Sequence, residues 1–215
     1  MAKLTDLGFR KSTIAETIVS TFNEDGSPNA APMGATLKDD QSLTIDFYNS
    51  STTLNNMKAR MCAVINLTGN IEVYYRAAFK EANPNGVLPK DWFVKAGSVN
   101  APKLDLAEAT IELSVKGLTS VNSEKTRAIF AVEQLQAEKR YPQVYCRAFG
   151  LTLEAIVHAT RVKVLAGDPT ERENVSELIR KIRDCDVMVD RIAPSSMYSV
   201  VMADLMKKVN VWAQK

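Results

Sequence analysis

Histidine and cysteine are scarce in this chain of 215 residues. It has one histidine, His158, and three cysteines, Cys62, Cys146 and Cys185, with no CxxC pair among them. A histidine-rich metal site, a zinc ribbon and a thioredoxin-type motif are therefore excluded, and we predict no metal site. A Ser-His-Asp triad would depend entirely on His158. An odd and sparse set of cysteines indicates reduced thiols, which favours a cytoplasmic location.

Long apolar runs and an excess of charge of one sign are also missing. No stretch approaches about 18 uninterrupted apolar residues, and the first residues lack the hydrophobic core of a signal peptide, so we predict no membrane association. Lys+Arg 27 against Asp+Glu 25 leaves a net charge of +2, and aromatic residues make up 7%. Neither a large basic face nor a stacking platform for nucleic acid is indicated. The 46% of hydrophobic and 24% of charged residues are typical of a soluble globular protein.

The first half of the chain has the alternation of β-strands. Asp25-Gly26 is a strong hairpin signal because glycine accepts a positive φ. The opening is therefore an antiparallel meander, the usual start of a small β-barrel. We predict strands at residues 14–22, 28–37, 43–48, 62–68 and 109–116, and a segment at 127–134 that is either a strand or a helix.

The period changes to a helical one from Arg147 onward. Asp168-Pro169 predicts a helix start, Pro194 ends that helix, and Ser195-Ser196 caps a last one. We therefore divide the chain into a barrel at residues 1–145 and a helical region at residues 146–215.

Residues 83–103 between the predicted strands contain three prolines and two glycines and are predicted to be a long loop. Long loops inside compact domains are often functional. This one carries Trp92 and Phe93, which either stack on a ligand ring or anchor the loop.

Three segments could carry binding chemistry. In residues 29–35 (NAAPMGA), small side chains allow a flat ligand to approach the backbone, although a bend in a barrel strand explains the same composition. Residues 48–53 (YNSSTT) enter a predicted helix at about 53–60, where hydroxyl and N–H groups suit an anion, with Lys58 and Arg60 as sources of charge. A plain helix cap is the alternative. Asn66 lies in an apolar strand and must bond either backbone or a ligand.

At this point the sequence resembles a known fold family, the FMN-binding split barrel of flavin reductases and pyridoxamine-phosphate-oxidase-like proteins. More narrowly, it is similar to the archaeal DUF447 family of flavoproteins. The resemblance covers nearly the whole chain and rests on residues 14–19 (IAETIV), 23–34 (NEDGSPNAAPMG) and 154–161 (EAIVHATR).

The resemblance implies a fold that is mainly β with α: a six-stranded Greek-key split barrel with a C-terminal helical subdomain. It also implies a homodimer that binds FMN near the subunit contact. The backbone of the second strand would face the flavin ring, and the segment after the third strand would hold the phosphate. The cofactor-binding residues implied are Ala31, Pro32, Met33, Gly34, Tyr48, Asn49, Ser50, Ser51, Thr52, Thr53, Asn56 and Asn66.

The function expected from this resemblance is that of an FMN-dependent oxidoreductase acting on a small substrate. A nicotinamide or a reduced deazaflavin would be the electron donor. A flavin carrier or sensor without turnover, and a dimeric scaffold without flavin, are the alternatives. No catalytic side chain is predicted, because the cofactor supplies the redox chemistry. His158 is either catalytic or a buried histidine, and the basic residues that clamp phosphate in pyridoxamine-phosphate oxidases have no clear counterpart.

Overall fold

The computed structural model describes residues 3–138 and 146–213. The chain forms two compact units, one made of Met1–Thr68 with Asn83–Arg140 and the other of Gly69–Ala82 with Tyr141–Lys215. The segment Gly69–Ala82, part of the predicted range 1–145, thus groups with the helical residues. The predicted boundary between residues 145 and 146 falls beside residues 139–145, which lie outside the described part of the chain.

The first unit contains a closed six-stranded antiparallel barrel, as the sequence predicted. Its strands are β1 (Ile14–Phe22), β2 (Pro28–Asp39), β3 (Ser42–Tyr48), β4 (Cys62–Leu67), β7 (Ala109–Ser120) and β8 (Lys125–Ala137). Around the barrel they follow the order β1-β2-β3-β8-β7-β4, and β4 pairs with β1 to close it. The segment at 127–134 is therefore a strand rather than a helix.

Apolar side chains from alternating strand positions fill the barrel. Val19, Ile65 and Ile111 are fully buried there, and Phe47 meets Phe130 edge to face with ring centroids 6.4 Å apart. Helix α1 (Thr52–Arg60) adds Leu54 and Met57 to the same core. These contacts fix the position of α1 against the barrel, and therefore the position of the segment that precedes it.

The predicted loop at residues 83–103 is more regular than expected. It contains the 3₁₀ turns Pro84–Gly86 and Lys90–Trp92, followed by β5 (Phe93–Lys95) and β6 (Pro102–Leu104). β5 and β6 form a two-stranded antiparallel sheet, in which Phe93 pairs with Leu104.

The second unit consists of helices. They are α2 (Ile71–Ala78), α3 (Arg147–Leu165), α4 (Arg172–Ile192) and α5 (Met197–Trp212). Ser196 caps α5 in a capping box with Ser199, as the Ser-Ser signal predicted, whereas α2 was not predicted. Among the described residues, no helix has both the length and the apolar character needed to cross a bilayer.

Candidate functional site

The first half of β2 has one edge that no other described strand covers. β2 pairs with β1 from Pro28 to Thr36, but with β3 only from Ala35 onward. In the described part of the chain, β1 is therefore the strand partner of residues 31–34. The predicted binding residues Ala31, Pro32, Met33 and Gly34 all lie on this open edge and are half-buried. Proline is tolerated in such a position because an edge strand does not need every backbone N–H for pairing.

Two contacts from β1 hold the open edge in place. The fully buried Thr17 donates its hydroxyl hydrogen bond to the carbonyl of Met33 at 2.8 Å. A Cβ added to Gly34 would lie 2.5 Å from Cγ2 of Ile14, so a larger residue here would require the side chain of this cross-strand neighbour to move. The sequence predicted that Gly34 lets a ligand approach the backbone. The structure adds a second reason for a glycine at this position, which is the close approach of the Ile14 side chain.

The segment between β3 and α1 forms a capped helix N-terminus. Ser51 is the N-cap, and its hydroxyl accepts a hydrogen bond from the N–H of Leu54 at 3.1 Å. Thr52 and Thr53 occupy the first two helical positions, where N–H groups have no acceptor within the helix. The side chains of Ser50 and Thr52 are exposed. The helix start therefore presents N–H donors that have no acceptor within the helix, beside two accessible hydroxyls, which suits an anionic group.

Buried polar side chains join this helix start to the β1–β2 hairpin. Asn29 donates its amide hydrogen bonds to Thr53 Oγ1 at 3.2 Å and to Thr21 Oγ1 at 3.3 Å. Asn56 donates to the same Thr21 oxygen at 3.2 Å and to Asn23 Oδ1 at 2.8 Å. The open edge of β2 and the N-terminus of α1 are thus fixed next to each other, and Asn56 acts by positioning them.

A positive charge that the sequence did not reveal lies beside this segment. The ammonium group of Lys125 is 4.7 Å from the centre of the Tyr48 ring, which it faces across the β3–β8 pairing. Arg60, by contrast, donates to the carbonyl of Asn23 at 3.0 Å. Lys125 is 77 positions from Tyr48 in the sequence, so no local pattern could have linked the two residues.

Two of the predicted site residues have side chains that are engaged by the protein. Asn49 donates to the carbonyl of Ser123 at 3.0 Å and accepts from Thr126 Oγ1 at 2.7 Å, which ties the helix entry to the β7–β8 turn. Asn66 is fully buried. Its amide nitrogen donates to the carbonyl of Ile18 at 3.0 Å and to Ser20 Oγ at 2.9 Å.

The oxygen of Asn66 is engaged as well, because it accepts the N–H of Leu104 in β6 at 2.7 Å. The nitrogen and the oxygen of this amide therefore both form hydrogen bonds to protein backbone. Asn66 links β4 to β1 and to β6, which is the geometry of a structural residue.

His158 lies elsewhere, on α3 of the helical unit. Its Nε2 is 3.3 Å from the carboxylate of Glu154, one turn away on the same helix. Burial lowers the pKa of His158, which favours the neutral ring. Among the described residues, the structure contains no group of three or more His, Cys, Asp or Glu side chains arranged to hold a metal ion.

A closed six-stranded barrel in which one strand has an open edge beside a helix N-terminus defines the class of split-barrel proteins. The sequence matches the family described as "Protein of unknown function (DUF447) N-terminal domain" over residues 15–141. The chain belongs to this family, which confirms the resemblance noted in the sequence.

Solved structures have the same fold. A crystal structure of an FMN-bound DUF447 protein from Methanosarcina mazei has 22% sequence identity and a TM-score of 0.76, covering 96% of this chain and 99% of that chain. A split-barrel protein from Shewanella frigidimarina, described as a flavin reductase, has 11% identity and a TM-score of 0.51, covering 63% of this chain and 75% of that chain. No curated protein matches the sequence of this chain.

Proposed function

We propose that this protein binds FMN at the open edge of β2, with the flavin ring along residues 31–34 and the phosphate at the start of α1. One observation carries this proposal: the open edge of β2 lies beside the N-terminus of α1. The bond from Asn29 to Thr53 joins the two elements. The FMN-bound relative from Methanosarcina mazei, which aligns over almost the whole of both chains, supports it.

The donors and acceptors present fit a flat ring that carries a phosphate. At the open edge, the backbone of Gly34 offers an N–H and a C=O group of the kind that bond the edge of a flavin ring, while Pro32 offers a carbonyl alone. The alternation of the β1–β2 ladder turns the backbone groups of Ala31 and Met33 toward β1. For the phosphate, the donors are the N–H groups of Thr52 and Thr53, with the exposed hydroxyls of Ser50 and Thr52.

The remaining predicted residues hold the segments of the site in position, and a neighbouring lysine adds charge. Ser51 caps the N-terminus of α1, and Asn49, Asn56 and Asn66 fix the surrounding segments through the bonds described above. Lys125, held over the ring of Tyr48, supplies a positive charge for the phosphate. When bound, FMN supplies the redox chemistry, and the protein contributes orientation and electrostatics.

We further propose that two copies of the chain associate over this part of the barrel. Ile14, which packs over Gly34, is 68% exposed, and Tyr48, with Lys125 over its ring, is still 58% exposed, so both side chains present apolar surface beside the site. A dimer would exclude water from the open edge of β2. Light scattering during gel filtration should give twice the 23.7 kDa of one chain, and a mass of 23.7 kDa would contradict this part of the proposal.

The phosphate assignment is tested by comparing FMN with riboflavin, which lacks the phosphate. Each flavin is titrated into flavin-free protein and its fluorescence quenching gives the Kd. The original protein should bind FMN more tightly than riboflavin. The double variant Thr52→Ala with Lys125→Gln should weaken FMN binding roughly 10- to 100-fold and leave riboflavin binding nearly unchanged, because hydrogen bonds to a charged group are lost.

The matched control is the double variant Thr119→Ala with Lys116→Gln, which removes an exposed threonine and an exposed lysine on β7. It should retain the original ratio of the two affinities. If the Thr52 and Lys125 variant also kept that ratio, the phosphate would lie elsewhere.

The oxidoreductase activity is tested by mixing the FMN-loaded protein with electron donors without oxygen. We propose that a nicotinamide or a reduced deazaflavin reduces the bound flavin, which stopped-flow absorbance follows directly. If NADH, NADPH and reduced deazaflavin all fail while FMN remains bound, the function is that of a flavin carrier or sensor. If the protein binds no FMN at all, the proposal fails as a whole.

A further inference from the structure

A pocket lies in the barrel unit, at the turn between β1 and β2. Its volume is about 340 Å³, within the size range of sites for small molecules. Apolar walls come from Phe22 and Pro28 of the hairpin and from Phe93 and Pro102 of the β5–β6 sheet. None of the residues assigned above to the flavin ring or to the phosphate lines it.

The β5–β6 wall of this pocket is held by buried polar contacts. Ser20 in β1 donates to the carbonyl of Pro102 at 2.6 Å. The carboxylate of Glu112 in β7 is fully buried and accepts the N–H of Gly97 at 3.0 Å and that of Ser98 at 2.5 Å. A buried carboxylate that accepts two backbone donors is costly to disturb. The segment between β5 and β6 is therefore anchored to the barrel, and the pocket has a fixed wall.

Lysine side chains dominate the charge around the pocket. Lys90 and Lys95 both line it and both are exposed to solvent. The acidic lining residue, Asp25, is already engaged, because one of its oxygens accepts the N–H of Ser27 at 2.9 Å and its hydroxyl at 2.6 Å. These hydrogen bonds lower the pKa of Asp25, and the nearby charge of Lys90 acts in the same direction. Two lysine side chains thus line a pocket with aromatic walls.

We propose that this pocket is a second binding site, which takes a small organic anion consisting of an apolar ring that bears a carboxylate or a phosphate. The ring would contact Phe22 and Phe93, and the anionic group would pair with Lys90 and Lys95. The inference stands on the pocket itself and does not depend on the binding of FMN.

The test uses benzoate and phenyl phosphate as probes, with benzamide as the uncharged analogue and acetate as the anion without a ring. Each is titrated into the full-length ¹⁵N-labelled protein, and the amide chemical shifts are followed with and without saturating FMN. Benzoate and phenyl phosphate should shift the amides of residues 22–27 and 90–95, and benzamide and acetate should each bind at least several-fold more weakly. The shifts should be the same with FMN bound.

The double variant Lys90→Gln with Lys95→Gln should weaken the binding of both anions roughly 3- to 30-fold, as expected for exposed charge pairs. The variant Lys11→Gln with Lys38→Gln removes the same charge from exposed positions outside the pocket and should bind as the original protein does. Equal weakening in the two variants would overturn the proposal, as would displacement of benzoate by FMN or shifts confined to other residues. Equal binding of benzamide and benzoate would show that the pocket does not select an anion.

Discussion

Replacing Asn66 by alanine separates a structural role for this amide from a role in cofactor binding. Asn66 is fully buried, and the substitution leaves the N–H of Leu104 without its acceptor at 2.7 Å. A buried donor without a partner costs about 1–3 kcal/mol. The bonds donated to Ile18 and Ser20 are lost as well, at about 0.5–1.5 kcal/mol each. We therefore expect Asn66→Ala to lower the free energy of unfolding by about 2–6 kcal/mol.

Urea unfolding followed by circular dichroism measures this change, and hydrogen exchange at the amide of Leu104 locates it. The exposed Asn55 on α1 provides the matched control, since Asn55→Ala should change stability by less than about 0.5 kcal/mol. Below the unfolding transition, the Asn66 variant should still bind FMN. A loss below about 1 kcal/mol together with a loss of FMN binding would refute this reasoning and assign the amide to the cofactor.

Two further predictions concern the barrel strands. Gly34→Ala should destabilise the protein by roughly 1–3 kcal/mol, because its methyl group would lie 2.5 Å from Ile14 Cγ2, and Ile14→Ala in the same chain should restore most of the loss in thermal unfolding. If Ile14→Ala gave no rescue, the clash would not be the cause. The hydrogen bond from Arg127 at 2.6 Å lowers the pKa of Asp46 from its ordinary value of 3.8, so the stability that this pair contributes is present above that value and lost as the pH falls below it. Asp46→Asn should therefore reduce the free energy of unfolding by up to about 1 kcal/mol at neutral pH, and the difference should shrink in acid; an undiminished difference in acid would contradict it.

Periodicity and turn chemistry predicted the local elements of the barrel well. The strand at residues 14–22 has the bounds of β1, because its alternation and the Asp25-Gly26 turn are contained within a short stretch. The predicted helix at 53–60 differs from α1 by one residue at its start. The fold class and the family could also be predicted from these segments.

Features that depend on distant pairing could not be predicted. The edge of β2 is open because β3 pairs with β8 along its whole length and with β2 over its first half alone, and β8 lies about 80 residues further along the chain. The position of Lys125 beside Tyr48 follows from the same pairing. Helix α2 was missed because Ile71–Ala78 spans little more than two turns and half of its residues are tyrosine or β-branched, which have a low helix propensity.

The partners of Asn66 also could not be predicted, because they are distant in the sequence. Its residue type and its apolar strand predicted that the amide must have partners, and the structure identifies them as Ile18, Ser20 and Leu104. These partners lie 38 to 48 positions away in the sequence. A sequence pattern shows that such a group needs a partner, but it does not distinguish backbone from ligand.

A crystal structure of the protein with bound FMN tests the central claim most directly. We predict flavin density along the open edge of β2 at residues 31–34, with the phosphate bonded to the N–H groups of Thr52 and Thr53. A phosphate found between Lys90 and Lys95, or a flavin away from β2, would contradict the account.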